Sequence, residues 1–312
     1  MSETHAHHHH GDDPHGHQHP MPGRHGRIFG IGIALNVGFV IIEAWYGWVT
    51  NSLALLADAA HNLGDVGGLL LAWAAFAAAK LRPSEEKTYG WRRGSILASF
   101  SNALILLVAM GSLAWEAVHR FNDPHPISAG TVMMVAAIGV VINAVTAYLF
   151  MADSESDLNI RGAFLHMAAD ALVSLGVVVA GALYWWRGWS WIDPLTSLVI
   201  AVVVVIGTWS MFRQSVHLLF DGVPEHIKLP EVRDSLGNLA GVASVHDLHV
   251  WAMSTADPAL TAHLVSDCSR DTEAILQDAQ RMLKERFGIA HVTLQIETAA
   301  CRNACAPHSE TN

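Results

Sequence analysis

The 312-residue chain repeats one short motif, His-x-x-x-Asp, at two distant places: His61-Asn-Leu-Gly-Asp65 and His166-Met-Ala-Ala-Asp170. On an α-helix, residues i and i+4 stack on one face, so each motif offers an imidazole and a carboxylate to a single point. Two such helices placed face to face supply two nitrogens and two oxygens. That is a tetrahedral shell suited to Zn²⁺, with two carboxylates cancelling the charge of the ion. Asp58, one turn before His61, is open to two roles: a fifth ligand, or a polar partner behind the shell or between helices, the second being the stronger. The bland alternative is a local ion pair within each helix, but the same spacing on two separate helices favours a shared site.

The elements that must position these groups are apolar. Hydrophobic residues make up 52% of the chain and charged ones only 15%, against roughly 45–50% and about 25% in ordinary globular proteins. Windows of about 20 apolar residues, enough to cross a hydrocarbon core about 30 Å thick, run from Ile28 to Val49, Ser52 to Ala79, Ser95 to Val118, Gly130 to Ala152, Ala163 to Trp186 and Ile192 to Phe212. With the second span descending and the fifth ascending, His61 and Asp65 lie about 13 and 19 Å from one end, His166 and Asp170 about 5–10 Å from the other, and the pairs can meet near midplane. An ionisable group at that depth costs at least about 2.5 kcal/mol and is usually functional or paired.

Loop charge sets the expected orientation. Arg24, Arg27, Lys80, Arg82, Lys87, Arg92, Arg93 and Arg161 fall on one side and only Arg120 and Arg187 on the other, which places both termini in the cytoplasm. Trp45, Trp48, Trp185, Trp186, Trp189 and Trp191 then collect at the outer interface. After the last span the pattern becomes that of a small soluble domain: a helix over Leu229–Ala240, strands over Ser244–Met253 and Ala259–Ser266, a helix over Asp271–Phe287 and a strand over Ala290–Glu297. Alternation turns Leu260, Ala262, Leu264, Val292, Leu294 and Ile296 toward a helix-covered core, leaving His263, His291, Gln295 and Glu297 on the other face.

The division expected is a His-rich disordered tail (1–27), a six-helix transmembrane domain (28–213), a cytoplasmic α+β domain of order α-β-β-α-β (214–299) and a Cys-containing tail (300–312). Nine of the 20 histidines fall in the first 25 residues, a composition for gathering metal, and nothing there resembles the basic and apolar regions of a signal peptide. A net charge of −10 without an arginine-rich stretch excludes a nucleic-acid partner. Three cysteines, Cys268, Cys301 and Cys305, exclude a disulfide framework. Asp153, Glu155 and Asp157 are read as a solvated loop, with concentration of cations near the inner mouth as the weaker role.

The run from Asn51 through Asp58 and His61 to Asp65, the loop Thr88-Tyr-Gly-Trp-Arg-Arg, the run from Asn159 through His166 to Asp170, and His246-Asp-Leu-His249-Val-Trp251 together resemble the cation diffusion facilitator family. The resemblance implies a homodimeric integral membrane transporter, six helices per protomer with a metallochaperone-like cytoplasmic domain, exporting Zn²⁺ in exchange for protons across a bacterial inner membrane. It carries the transport site onto His61, Asp65, His166 and Asp170, in the zinc-preferring pattern with His at position 61. It also implies a regulatory zinc site on His246, His263 and Glu297 on a solvent-facing side, although Gln295 stands where another member has a histidine; His249 could be ligand or structural.

Arg93-Gly94-Ser95 replaces the Arg-Ala-Glu of many relatives, and the loop histidines of some are missing, so no loop site is expected. An intramembrane metalloenzyme would need an open coordination position and a base, typically His-Glu-x-x-His, which the chain lacks. A metal-sensing receptor would need an output signature after the spans, and none follows.

Overall fold

The computed structural model describes residues 23–123, 125–151 and 158–297. The histidines from His5 to His19, the acidic group Asp153, Glu155 and Asp157, and the segment with Cys301, Cys305 and His308 lie outside the described residues.

Six long helices come first: α1 (Gly23–Val49), α2 (Leu53–Ala79), α3 (Gly94–Arg120), α4 (Ala129–Met151), α5 (Leu158–Arg187) and α6 (Ile192–Leu219). Helices α2 to α6 contain segments long and apolar enough to cross a membrane. Each expected span has its helix, but several helices overrun the apolar stretch: α1 begins at Gly23 rather than Ile28, and α6 continues past Phe212 to Leu219. Apolarity marks where hydrocarbon ends, whereas the i to i−4 hydrogen-bond ladder continues into polar residues.

All six helices contribute to one core, which includes Phe39, Leu55, Met110, Val132, Val177 and Ile200. Their outward faces carry Ile41, Trp48, Trp73, Trp115, Leu172 and Ile206, each more than half exposed. A surface that apolar on every side suits lipid as solvent.

The start of α2 is fixed from two directions. Asn51 adopts a left-handed backbone, φ 54°, which asparagine tolerates better than most residues, and Ser52 caps the helix by accepting from Leu55 N. Asp193, in the first turn of α6, accepts from Ser52 Oγ at 2.5 Å, Leu53 N at 2.8 Å and Ala54 N at 3.4 Å. A carboxylate at a helix N-terminus satisfies orphan amides and complements the dipole.

The second unit follows as α7 (Leu229–Gly237), β1 (Val242–Ala252), β2 (Pro258–Ser266), α8 (Thr272–Phe287) and β3 (His291–Glu297), the expected order. Strand β1 pairs antiparallel with β2, and β2 parallel with β3, a pairing that requires a crossover, here α8. Leu260, Ala262 and Leu264 are buried with Leu236 of α7 and Ile275 and Leu283 of α8. Gly288, at φ 68°, ends α8, and its N–H donates to Lys284 O at 3.2 Å, the αL stop that glycine favours.

One expectation fails here. Glu297 does not face solvent; it is 1% exposed. It pairs in register with Val265 at the end of β3, and the rings of His246 and His263 lie against its carboxylate. Alternation names a face of the strand, but not what covers that face.

The two units touch through Arg93 and the first turn of α3 on one side and the end of α6 on the other. Arg93 pairs with Asp221, Thr255 N donates to Ser95 Oγ, and Ile96, Leu218 and Ala252 form a small apolar cluster.

Candidate metal sites

The two His-x-x-x-Asp motifs meet across the α2–α5 contact. His61 Nε2 lies 3.2 Å from Asp170 Oδ1 and 3.8 Å from Asp65 Oδ2. His166 Nε2 lies 3.2 Å from the same Asp65 oxygen and 3.6 Å from Asp170 Oδ2. Each imidazole therefore sits between the two carboxylates, and each carboxylate between the two imidazoles. Metal bonds of about 2.0–2.2 Å give a tetrahedron edges of about 3.3–3.6 Å, so the N···O separations are already close to those of a coordination shell. Candidate ligand atoms of His61, Asp65 and Asp170 converge within 4.8 Å of one another. Gly64, between the two α2 ligands, leaves room for Leu106 of α3, whose Cδ1 stands 3.0 Å from where a Cβ would be.

Exposure across the cluster is uneven: Asp170 3%, His61 18%, Asp65 34%, His166 43%. Within each motif the more exposed residue, Asp65 after His61 on α2 and His166 before Asp170 on α5, is the one nearer the C-terminal end of α2 or the N-terminal end of α5. Both ends are on the side of the soluble unit, so the cluster opens toward that side.

Asp58 does not join the shell. It is fully buried, accepts from Ser174 Oγ at 2.7 Å and lies against Glu43 of α1, which accepts from Asn62 Nδ2 at 3.2 Å. Of the two roles left open for it, the polar partner between helices is the one observed. Glu43 and Asp193 were not singled out from sequence, although an acidic residue inside an apolar window is itself a signal.

In the soluble unit, His246 pairs in register with His263 across β1 and β2. His246 Nε2 is 3.0 Å from Glu297 Oε2 and His263 Nδ1 is 2.8 Å from Glu297 Oε1; candidate ligand atoms of the three lie within 4.8 Å of one another. Gln295 donates to Glu297 Oε1 at 3.2 Å and steadies the carboxylate. Burial pushes the Glu297 carboxyl up, but the hydrogen bond from His246 and the charges of His246 and His263 outweigh it, leaving it below its ordinary value. A register shift in β1 separates His246 from His249, and His249, 66% exposed, bonds Asp247 at 2.9 Å rather than joining the three. That bond holds the Asp247 carboxyl below its usual range.

A bundle of membrane-crossing helices around an imidazole–carboxylate cluster, joined to an α+β unit with a second such cluster, defines a metal-handling membrane protein. Residues 30–220 match the model of the cation efflux transmembrane domain and residues 224–299 that of the cation efflux protein cytoplasmic domain. The cadmium, cobalt and zinc/H(+)-K(+) antiporter of Bacillus subtilis is 36% identical, the alignment covering 91% of this chain and 93% of the relative. The metal cation efflux system protein CzcD of Cupriavidus metallidurans is 37% identical over 93% and 92%. The zinc transporter ZitB of Escherichia coli is 34% identical over 86% of each. The chain belongs to the cation efflux family, whose members are metal transporters rather than enzymes.

Proposed function

We propose that the protein exports divalent metal cations, chiefly Zn²⁺, from the cytoplasm in exchange for protons, by alternating access to one tetrahedral site made of His61, Asp65, His166 and Asp170. The observation that carries this is the closed alternation of two imidazoles and two carboxylates from α2 and α5, with N···O separations of 3.2–3.8 Å. Zn²⁺ enters from the side where Asp65 and His166 are exposed. Its four bonds replace its water, and the two carboxylates neutralise it in a low-dielectric interior. Rocking of the helices opens the site to the other side. There protons compete for the same nitrogens and oxygens, which must be deprotonated to bind metal, and the ion leaves.

The loop charges favour both termini in the cytoplasm, in the inner membrane of a bacterium. Family membership favours a homodimer, and the Bacillus subtilis relative is named a zinc/H(+)-K(+) antiporter, with protons among the exchanged ions. His246, His263 and Glu297 form a second Zn²⁺ site that tunes the transporter through differential affinity for two arrangements of the dimer.

The test is zinc uptake into everted vesicles. Uptake collapses when the pH gradient is dissipated, and Asp65→Ala abolishes it while leaving a folded dimer. Flux indifferent to the gradient would point to a channel or another coupling ion; near-normal uptake by Asp65→Ala would remove the site assignment.

A further inference from the structure

Glu43 of α1 and Asp58 of α2 lie against each other, and both side chains are fully buried. One oxygen of each is taken: Glu43 Oε2 accepts from Asn62, and Asp58 Oδ2 from Ser174. The remaining oxygens, Glu43 Oε1 and Asp58 Oδ1, are out of reach of solvent and receive no donor among the described residues. Two touching carboxylates in a dry interior cannot both be ionised. One proton held between the two donorless oxygens turns repulsion into a hydrogen bond and leaves neither oxygen unsatisfied.

The charged groups around the pair are few. His61 comes from α2, while α5 supplies Asp170 beside Ser174. Helix α4, which also packs on α1, contains no Asp, Glu, His, Lys or Arg. The charged groups of α3 and α6 toward the same end are engaged elsewhere: Arg120 with Glu116, His119 on Trp115, and Asp193 at the start of α2. Asp58 stands one turn before His61, and Ser174 one turn after Asp170. The pair therefore sits one helical turn from the metal ligands, on the side away from the soluble unit.

We propose that Glu43 and Asp58 form a proton site separate from the metal ligands, which holds one proton per protomer while the cluster is empty and releases it to water when a divalent cation arrives one turn away. The O–H bond at the pair breaks, the pair becomes doubly anionic, and the two positive charges of the cation stabilise it through the low-dielectric interior. The release step rests on the metal assignment of the cluster, whereas the shared proton does not.

Infrared spectroscopy of the full-length protein in proteoliposomes, together with the protons released on adding Zn²⁺, tests both parts. The unmutated protein is expected to show a protonated-carboxyl C=O band at neutral pH that is lost in Glu43→Gln, and to release about one proton more per bound Zn²⁺ than that variant. If Glu43→Gln does not fold, Ser174→Ala serves: without the hydroxyl that stabilises ionised Asp58, the band persists to higher pH. A band unaltered in both variants, or equal proton release from Glu43→Gln and the parent, overturns the proposal. So does loss of the band on adding K⁺, which would make the pair a monovalent-cation site. A band that behaves as expected in protein that binds no Zn²⁺ would instead count against the metal cluster and leave the acid pair standing.

Discussion

The membrane cluster and the cluster on the sheet use the same chemistry and are built in opposite ways. On α2 and α5 the ligands come in helical pairs, so each helix carries half a shell and relative movement of the two helices changes the geometry of the whole. In the soluble unit the three candidate ligands come from three hydrogen-bonded strands, with His246 opposite His263 and Glu297 beneath them. A sheet holds such atoms at fixed spacing. The burial differs in one respect: a carboxylate is the most protected group in both clusters, Asp170 and Glu297, but in the membrane site a second carboxylate, Asp65, lies open beside His166. A site split between two movable halves suits loading and release, and a site on one rigid sheet suits sensing.

The sharpest way to break this contrast is to remove one histidine from each cluster. His166→Ala is expected to lower zinc transport by at least about 100-fold, since even groups behind a metal ligand contribute about 10–100-fold. His263→Ala is expected to leave maximal transport within about twofold and to abolish zinc-induced compaction of the dimer, measured by small-angle scattering. Equal loss of transport in both variants would erase the division of labour.

A smaller effect is expected from His61→Asp. A third carboxylate makes the shell harder and more negative, so Mn²⁺ and Cd²⁺ gain relative to Zn²⁺ in competition uptake. An unchanged ion preference would locate selectivity outside the four ligands.

The smallest effect concerns the resting sheet. Because Glu297 is held below its ordinary carboxyl value of 4.5, its ionised form stabilises the fold at neutral pH. That contribution persists down to the unfolded value and is lost as pH falls through the depressed one. Denaturation of the soluble unit should therefore steepen below about pH 4.5, and Glu297→Gln should flatten that limb. An unaltered acid limb in the variant would deny Glu297 this role.

What was legible in the sequence follows from the same contrast. The i, i+4 spacing is a property of one helix, so His61 with Asp65 and His166 with Asp170 could be paired before any fold was known, and apolar windows long enough for a membrane named all six helices. Alternation along the strands found the buried Leu260, Ala262 and Leu264. It could not find that His246 and His263 close over Glu297, because strand register and its shift in β1 belong to the assembled sheet. Asp193 escaped for the same reason: its partners Ser52, Leu53 and Ala54 are about 140 positions away. Asp58 was singled out and Glu43 was visible as a residue type; only the contact between them, across α1 and α2, was hidden.

Asp193 also works as a mechanical part. By gripping the first turn of α2 it ties one end of that helix to α6, so a tilt of α2 relative to α6 pivots there and displacement grows with distance along the axis. At 1.5 Å of rise per residue, Asp65 lies about 18 Å from the pivot and Asp58 about 8 Å, so a swing of about 10° carries Asp65 about 3 Å and Asp58 little more than 1 Å. The lever thus amplifies movement at the open edge of the metal cluster and leaves the Glu43–Asp58 contact near its fulcrum almost still.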